Sequence, residues 1–232
     1  RTGSVEVRDA SGLKVWFGGG LPVIPEASPA RTLSLGLKRA IDIIAGSMAL
    51  FALAPLLVAV VILIRATSSG PALFRQQRDG LNGRAISVYK FRSMYVDQGD
   101  ASGVAQTRKG DARITPVGHF IRRWSIDELP QLLNVILGDM SLIGPRPHPI
   151  NMLAAGVPYG QLVPYYHARH AMKPGISGWA QANGLRGPTE NRDVAVARIN
   201  HDIGYIQNYS ILLDLKIMLR TLQRELLPGT GF

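Results

Sequence analysis

Residues 43–64 read IIAGSMALFALAPLLVAVVILI, a run of 22 residues without a charged side chain. As one helix this run would be about 33 Å long, close to the ~30 Å hydrocarbon core of a bilayer. A secretory signal peptide is a poor match, because the run begins well inside the chain and no small-residue cleavage pattern follows it. A buried core helix is a poor match as well, because the run is long and uniformly apolar for a chain of 232 residues. The sequence therefore predicts a membrane-inserted segment.

Pro55 divides this run into two halves, each near half the thickness of the bilayer core. Proline removes a backbone donor and disfavours helical angles at the preceding Ala54. Lys and Arg residues flank the run on both sides, whereas a spanning helix usually has them in excess on one side. Two architectures remain open: a re-entrant helix–break–helix whose ends face the same side, which the flanks favour, and an ordinary kinked span.

The composition points to anionic partners. The formal charge is +10 and the isoelectric point about 10.3, which suits phospholipid surfaces, phosphate-bearing substrates or nucleic acid. Nucleic acid is the weakest of these, because the cations are scattered and no nucleic-acid-binding motif is present. The absence of cysteine excludes disulfides, thiolate metal sites and cysteine nucleophiles. The first residue is arginine, from which we expect the chain to be part of a longer protein.

A second informative stretch is RRWSIDELP, residues 122–130. Capping residue types near Ser125 and the capping-box spacing to Glu128 predict that a helix begins here, and Gly138 suits its far end. The helix dipole and the neighbouring arginines favour the ionised form of Asp127. A carboxylate held in this way could attack phosphorus, as in aspartyl-phosphate enzymes. The alternative is that these carboxylates only cap and charge a helix.

The rest of the chain predicts a mostly helical α+β fold. Residues 72–76 and 85–91 read as the two strands of a β-hairpin around a turn-rich segment. Helical periodicity predicts helices at 161–172, 189–208 and 210–227, the last of them amphipathic. A further short helix is expected to follow Thr115 and Pro116 and to end at Arg122 and Arg123.

Three segments are predicted to lack regular helix. Residues 1–35 are rich in Gly, Pro and Ser and read as a linker, with one short strand near residues 13–17. Residues 97–111 are polar and Gly-rich, which indicates a mobile surface loop. Prolines hold residues 145–149 extended, so that Arg146 would be presented from a stiff loop.

Five motifs, all read from the sequence, occur in order: Lys38-Arg39-Ala40-Ile41-Asp42, Lys90-Phe91-Arg92-Ser93-Met94, Asp127-Glu128-Leu129-Pro130-Gln131-Leu132, Gly138-Asp139-Met140-Ser141-Leu142-Ile143-Gly144-Pro145-Arg146-Pro147 and Pro174-Gly175-Ile176-Ser177-Gly178-Trp179-Ala180-Gln181. From about residue 35 to 227 the chain closely resembles the bacterial sugar transferases that act on polyprenyl phosphate, the monotopic phosphoglycosyl transferases. The resemblance implies a linker at 1–35, a re-entrant membrane helix at 36–66 and a catalytic domain at 67–232. Family members break the membrane helix at Ser-Pro or a similar pair, which is Ala54-Pro55 here.

The resemblance also implies a two-step reaction. Asp127 would attack the sugar-bearing phosphorus of a UDP-sugar and expel UMP, and polyprenyl phosphate would then take the sugar phosphate from the aspartyl intermediate. Lys90, Arg122 and Arg146 match the family's phosphate contacts. Mg²⁺ would bridge diphosphate oxygens with Asp127 and Glu128, since hard oxygen ligands suit it. Glu128 is better placed for metal binding or orientation than for the attack.

Other residues carry weaker expectations. Trp179, Gln181 and Arg186 could bind the nucleotide or sugar, although packing explains Trp179 equally well. Residues 185–189 resemble the Arg-Gly-x-Thr stretch of members that transfer glucose 1-phosphate, which favours glucose over galactose. Arg123 and Arg169 read as fold or surface charges. His148 and His167 read as structural, because they lack metal-ligand spacing.

The resemblance places the protein at the bacterial inner membrane, with its catalytic domain on the cytoplasmic face. Its expected partners are a UDP-sugar, undecaprenyl phosphate as the polyprenyl acceptor, membrane lipid, later glycan-assembly enzymes and another copy of the chain. Nucleic acid is not expected among them. The pathway would be exopolysaccharide or O-antigen-type assembly. The alternative function is a non-catalytic membrane-anchored scaffold for a glycan-assembly complex.

Overall fold

The computed structural model describes residues 4–8, 11–97 and 110–226, in which helices and short strands are mixed. The α-helices are α1 Pro29–Thr67, α2 Pro116–Arg123, α3 Gln131–Leu137, α4 Tyr159–Leu162, α5 Trp179–Ala182, α6 Arg192–Gln207 and α7 Ile211–Leu226. The strands are β1 Ser4–Arg8, β2 Lys14–Gly18, β3 Leu21–Pro22, β4 Leu73–Asp79, β5 Ala85–Phe91, β6 Ser141–Ile143, β7 Leu153–Ala154, β8 Val157–Pro158 and β9 Gly175–Ser177. Single 3₁₀ segments lie at Leu81–Gly83, Ile126–Glu128 and Tyr166–Ala171.

The N-terminal segment contains more structure than the single strand predicted within a linker. β1, β2 and β3 form an antiparallel sheet in that order. Val15 of β2 is 1% exposed and belongs to a core cluster with residues of α6. Gln207 of α6 accepts from the Trp16 backbone N–H and donates to the Trp16 carbonyl. The predicted strand near residues 13–17 is confirmed as β2, and the sequence interpretation missed β1 and β3, which pair with it on either side.

Helix α1 is assigned as one helix through Ala54 and Pro55, so these residues do not end it, and the re-entrant arrangement stays a prediction. The physical reason is that one proline removes a single intrahelical donor, and the remaining backbone hydrogen bonds of a 39-residue helix are enough to keep it helical there. By length and composition α1 could cross a membrane. Large apolar side chains on its surface, such as Met48 and Phe51 (67% and 86% exposed), have no protein core around them. The predicted mobile loop at 97–111 falls mainly outside the described residues.

The first half of α1 is fastened to the domain that follows it by buried charges. Lys38 Nζ donates to Asp214 Oδ2 of α7 at 2.6 Å, and both side chains are about one-tenth exposed. Arg39 donates to the carbonyls of Val135 and Ile136, which belong to the last turn of α3. The Lys-Arg pair of the first motif therefore binds the helix to two different elements of the domain.

Both sides of Pro55 contact this domain. Before it, the carboxylate of Asp42 accepts from Ser141 Oγ (2.7 Å) and from the Leu142 backbone N–H (3.0 Å). After it, Val60 and Ile64 are each 2% exposed and pack into a core cluster with residues of β5 and α2. The domain thus holds α1 on either side of its most exposed stretch.

The predicted hairpin is confirmed as β4 and β5, paired antiparallel from Leu73↔Phe91 to Asp79↔Ala85. Its turn needs left-handed backbone angles, which Asn82 (φ 54°) and Gly83 (φ 74°) supply. The end of β4 continues against the proline-rich loop, where the Asp79 backbone N–H donates to the His148 carbonyl. This contact brings the hairpin to the loop that carries Arg146.

The fourth and fifth motifs meet as a parallel pair, β6 and β9. At Gly144 an added Cβ would lie 2.4 Å from the Lys173 carbonyl oxygen, and at Gly175 it would lie 2.1 Å from the Gly144 nitrogen. Neither position can hold a side chain without moving backbone. The two glycines therefore fix where the loop after β6 leaves the sheet.

The predicted start of the central helix is wrong. Ser125 adopts a left-handed conformation (φ 53°) and makes no side-chain capping hydrogen bond, so the capping box is absent. Residues 126–128 form one 3₁₀ turn, and α3 begins only after Pro130. Pro130 directly precedes α3, where a proline ring suits a helix start. The end at Gly138 (φ 98°) is confirmed.

The other helix predictions differ in outcome. The helix at 116–123 is confirmed with Thr115 as its cap, and the two C-terminal helices are confirmed at Arg192–Gln207 and Ile211–Leu226. The single helix predicted at 161–172 is wrong. The chain instead ends α4 at Leu162 and forms a 3₁₀ segment from Tyr166, because Pro164 cannot continue a helix.

Candidate functional site

The five charged residues singled out from the sequence converge in one cluster. Asp127 and Glu128 lie in the 3₁₀ turn between α2 and α3, and Lys90 projects from the adjacent β5. Arg146 comes from the loop after β6, and Arg122 from the last turn of α2. Residues from four separate segments therefore share one electrostatic environment around the turn.

Glu128 is the anion at the centre of this cluster. Lys90 Nζ donates to Glu128 Oε1 at 2.7 Å, and Arg146 donates to both carboxylate oxygens, the Nη1 bond to Oε2 being 3.1 Å. Burial raises the pKa of Glu128, but the charges of Arg146 and Lys90 outweigh it and hold the pKa well below its usual value. Glu128 is therefore ionised at neutral pH and fixes the two cations.

Asp127 has the opposite behaviour, and the expectation of a lowered pKa is corrected. Asp127 is 8% exposed, and burial together with the Glu128 charge raises the pKa of its carboxyl group to about 6. The charges of Lys90, Arg122 and Arg146 act in the other direction and are outweighed. Within the described residues, no hydrogen bond or ion pair holds the Asp127 carboxylate. The site thus contains one fixed carboxylate and one that is free to react.

Magnesium fits this cluster through one residue only. Both oxygens of Glu128 are already engaged by cations, so the predicted second ligand is not free. The carboxylate of Asp127 has no such partner within the described part of the chain, where no group of three His, Cys, Asp or Glu could hold a metal ion. Mg²⁺ commonly takes one or two protein carboxylates and completes its shell with phosphate oxygens and water. Asp127 alone meets this minimal requirement.

The loop that presents Arg146 is hydrogen-bonded to a buried ion pair. Arg169 donates through Nε and Nη2 to Asp202 Oδ2 at 2.9 and 2.6 Å, with both side chains 2% exposed or less. The same Nη2 donates to the backbone carbonyl of Arg146. The interpretation of Arg169 as a fold charge is confirmed, and its partner is Asp202 of α6.

The predicted nucleotide- or sugar-binding residues lie on the later part of the chain. Trp179 is 3% exposed, and the Arg220 guanidinium lies 5.0 Å from its ring centroid, so the ring belongs to the core. Gln181 is also buried and donates to the Ile176 carbonyl at 3.4 Å. Arg186 is half-buried in the segment between α5 and α6. The binding roles of all three remain predictions.

Three further polar residues, Arg78, His148 and Arg198, lie on the loop after β6 or within electrostatic reach of it and were not assigned to the site from sequence. Arg78 donates to the Pro147 carbonyl at 2.6 Å. His148 is buried, stacks against two tyrosines and has its pKa held well below the usual value by burial and nearby arginines. Arg198 is 4% exposed and donates to the Gly187 carbonyl. No sequence spacing signals this grouping, because the three residues lie on different elements.

Comparison with known proteins agrees with the motif pattern. Residues 33–227 match the family described as "Bacterial sugar transferase". The exopolysaccharide production protein PSS of Rhizobium leguminosarum bv. phaseoli is 54% identical over 86% of the chain and is covered over its full length. The undecaprenyl-phosphate glucose phosphotransferase of Komagataeibacter xylinus is 48% identical over 84% of the chain, and the UDP-glucose:undecaprenyl-phosphate glucose-1-phosphate transferase of Escherichia coli is 43% identical over 87%. The chain spans 37% and 43% of these last two proteins.

Proposed function

Because the chain belongs to the bacterial sugar transferase family, we propose that it transfers glucose 1-phosphate from UDP-glucose to undecaprenyl phosphate. The names of the relatives support this substrate pair. The observation that carries the proposal is the pairing of a free, buried Asp127 with a neighbouring Glu128 that holds two cations in place. The product would start a glycan that later assembly enzymes extend.

Asp127 acts as the nucleophile in this proposal. One carboxylate oxygen attacks the phosphorus that bears the sugar, and the bond from that phosphorus to the bridging oxygen breaks, so that UMP leaves with the electron pair. An oxygen of undecaprenyl phosphate then attacks the same phosphorus, breaks the aspartyl–phosphate bond and restores the carboxylate. Lys90, Arg122 and Arg146 offset the charge that gathers on the phosphate oxygens in both steps.

Magnesium would enter through substrate phosphate and Asp127. When bound, it would neutralise diphosphate oxygens. Glu128 has a separate role, since its ion pairs fix Lys90 and Arg146 where phosphate arrives. Its charge also raises the pKa of Asp127, which keeps that carboxylate a stronger nucleophile than a freely solvated one.

The membrane arrangement that best fits the fold is re-entrant, with the domain on the cytoplasmic face of the inner membrane. The support is that Asp42, before Pro55, and Val60 and Ile64, after it, all contact the same domain. About 18 residues separate Asp42 from Val60, or roughly 27 Å along a helix. A straight span would place these contacts near opposite faces of the bilayer core.

Labelling of introduced cysteines tests this arrangement, and the cysteine-free chain needs no background removal. We expect Thr32→Cys and Thr67→Cys, both at exposed positions, to react with an impermeant maleimide from the same side of sealed vesicles. Ala54→Cys serves as the membrane-shielded control. Labelling of the two flanks from opposite sides would show that α1 spans the membrane.

The proposed activity is tested by following UMP release from a panel of UDP-sugars with undecaprenyl phosphate and Mg²⁺. We expect UDP-glucose to be the best donor and hexose 1-phosphate to appear on the lipid. Release of no UMP from any common UDP-sugar would instead favour the non-catalytic scaffold.

The pH profile of the reaction should report Asp127. Because attack requires the ionised carboxylate, kcat/KM for UDP-glucose should rise as the pH increases through about 6 and level off above it. Glu128→Gln removes the second cause of the raised pKa, so the midpoint should move to lower pH while the plateau falls. A profile that stays flat between pH 5 and pH 8 in the unmodified protein would contradict the assignment.

A further inference from the structure

The loop that carries Arg146 concentrates more positive than negative charge. Glu128 is shared by two cations, and Asp202 is occupied by Arg169. A third guanidinium, that of Arg78 at the end of β4, lies against the same loop without a carboxylate contact in the described part of the chain. A half-buried cation beside other cations is costly for folding unless an anion joins it.

The hydrogen bonds of Arg78 leave part of its guanidinium unused. Nε and Nη2 donate to Gln76 Oε1 at 3.0 and 2.6 Å, and Nη1 donates to the Pro147 carbonyl at 2.6 Å. These bonds use three of the five N–H groups of a guanidinium, and both acceptors are uncharged. Within the described residues, two N–H groups of Arg78 have no acceptor. The three bonds hold the group rigidly without consuming its capacity to bind an anion.

The charges of the site act directly on Arg78. Burial and then the neighbouring charge of Arg146 lower its pKa to about 10, while Glu128 acts to raise it. Arg78 is therefore still cationic at neutral pH and lies within the electrostatic reach of both residues. Its position next to Arg146 is unfavourable in the free protein and becomes favourable once a phosphate group lies between them.

We propose that Arg78 is a further phosphate-binding residue of this site. Its two free N–H groups donate to non-bridging oxygens of the sugar-nucleotide diphosphate, beside the Arg146 guanidinium. This inference rests on the proposed function, since that function supplies the diphosphate. The planar fork of arginine suits such an oxygen pair better than a lysine would. Arg78 thus extends the predicted set of Lys90, Arg122 and Arg146.

The same strand provides a matched control. Arg75 is exposed on β4, and its guanidinium lies 5.1 Å from the centroid of the Tyr89 ring. Arg75→Gln removes the same charge from the same strand and leaves the loop after β6 untouched. Any effect of net charge alone should therefore appear equally in Arg75→Gln and Arg78→Gln.

The test measures the binding of inorganic pyrophosphate to the purified chain in detergent through the shift in melting temperature. We expect Arg78→Gln to bind pyrophosphate about tenfold more weakly than the unmodified chain, and Arg75→Gln to bind it equally well. The KM for UDP-glucose should rise about tenfold in Arg78→Gln alone. Arg78→Lys keeps the charge, so it serves if the glutamine variant does not fold, and we expect it to bind pyrophosphate about threefold more weakly.

The outcomes separate this inference from the proposed function. Equal pyrophosphate affinity in Arg78→Gln and Arg75→Gln would overturn the role of Arg78, even with normal UMP release from the unmodified chain. Loss of pyrophosphate binding in Arg78→Gln alone would support the phosphate site. That support would stand even if no UDP-sugar released UMP, in which case the transferase proposal fails and the anion site remains.

Discussion

Asp127→Asn should lower the rate of UMP release by roughly 10⁴-fold or more, because the amide cannot form the bond to phosphorus on which both steps depend. The cations that bind phosphate are retained, so substrate affinity should change much less than the rate. Mass spectrometry adds a direct measurement: incubation of the unmodified chain with UDP-glucose, without lipid acceptor, should add one hexose phosphate at residue 127.

The same substitution should make the protein more stable. The raised pKa means that the folded state holds the Asp127 proton more tightly than the unfolded chain does. The contribution of Asp127 to the free energy of unfolding is therefore fully present below its ordinary pKa of 3.8 and is lost as the pH rises from there through about 6. At neutral pH the neutral amide removes this cost, so the free energy of unfolding should increase by roughly 1 to 3 kcal/mol.

Asp139→Asn is the control for both measurements, because it removes an exposed carboxylate just after α3. It should leave UMP release within about twofold and the free energy of unfolding within about 0.5 kcal/mol of the unmodified chain. If Asp127→Asn retained UMP release, the nucleophile would lie elsewhere. If it retained release and was also no more stable, the buried environment described for Asp127 would be wrong as well.

The sequence could predict which residues form the charged cluster, but not which of the two carboxylates is ion-paired and which has a raised pKa. Asp127, Glu128, Lys90, Arg122 and Arg146 all stand within recognisable motifs, and the structure brings them together. Their chain spacing carries no information on burial. Local reasoning therefore counted the nearby arginines and expected a lowered pKa for Asp127, whereas desolvation and the Glu128 charge raise it.

Contacts between distant parts of the chain explain the remaining differences. The hairpin β4–β5 was predictable because its pairing is local. The N-terminal sheet was predictable only at β2, whose position against α6 is set by contacts with residues far along the chain. Helix α1 shows a further limit: proline predicts a weakened position, and neighbouring turns decide whether the helix is interrupted there.

The most destabilising substitution expected near the site is Asp202→Asn. It leaves the guanidinium of Arg169 buried without its carboxylate, with a cost of about 3 to 5 kcal/mol in the free energy of unfolding. Because Arg169 also donates to the Arg146 carbonyl, the loop should lose its support and the KM for UDP-glucose should rise. Denaturant unfolding and UMP release measure the two effects separately.

An exposed ion pair provides the comparison for this substitution. Lys14 and Glu6 are 3.1 Å apart, and their side chains are 45% and 41% exposed, so Lys14→Gln should cost at most about 1 kcal/mol. Replacing Arg169 and Asp202 together, by Met and Leu, should recover much of the stability lost in Asp202→Asn, because no unpaired charge then remains buried. Activity should not recover with the stability, since the double replacement removes Arg169 and with it the donor to the Arg146 carbonyl. Recovery of both would mean that the buried pair stabilises the fold without positioning Arg146.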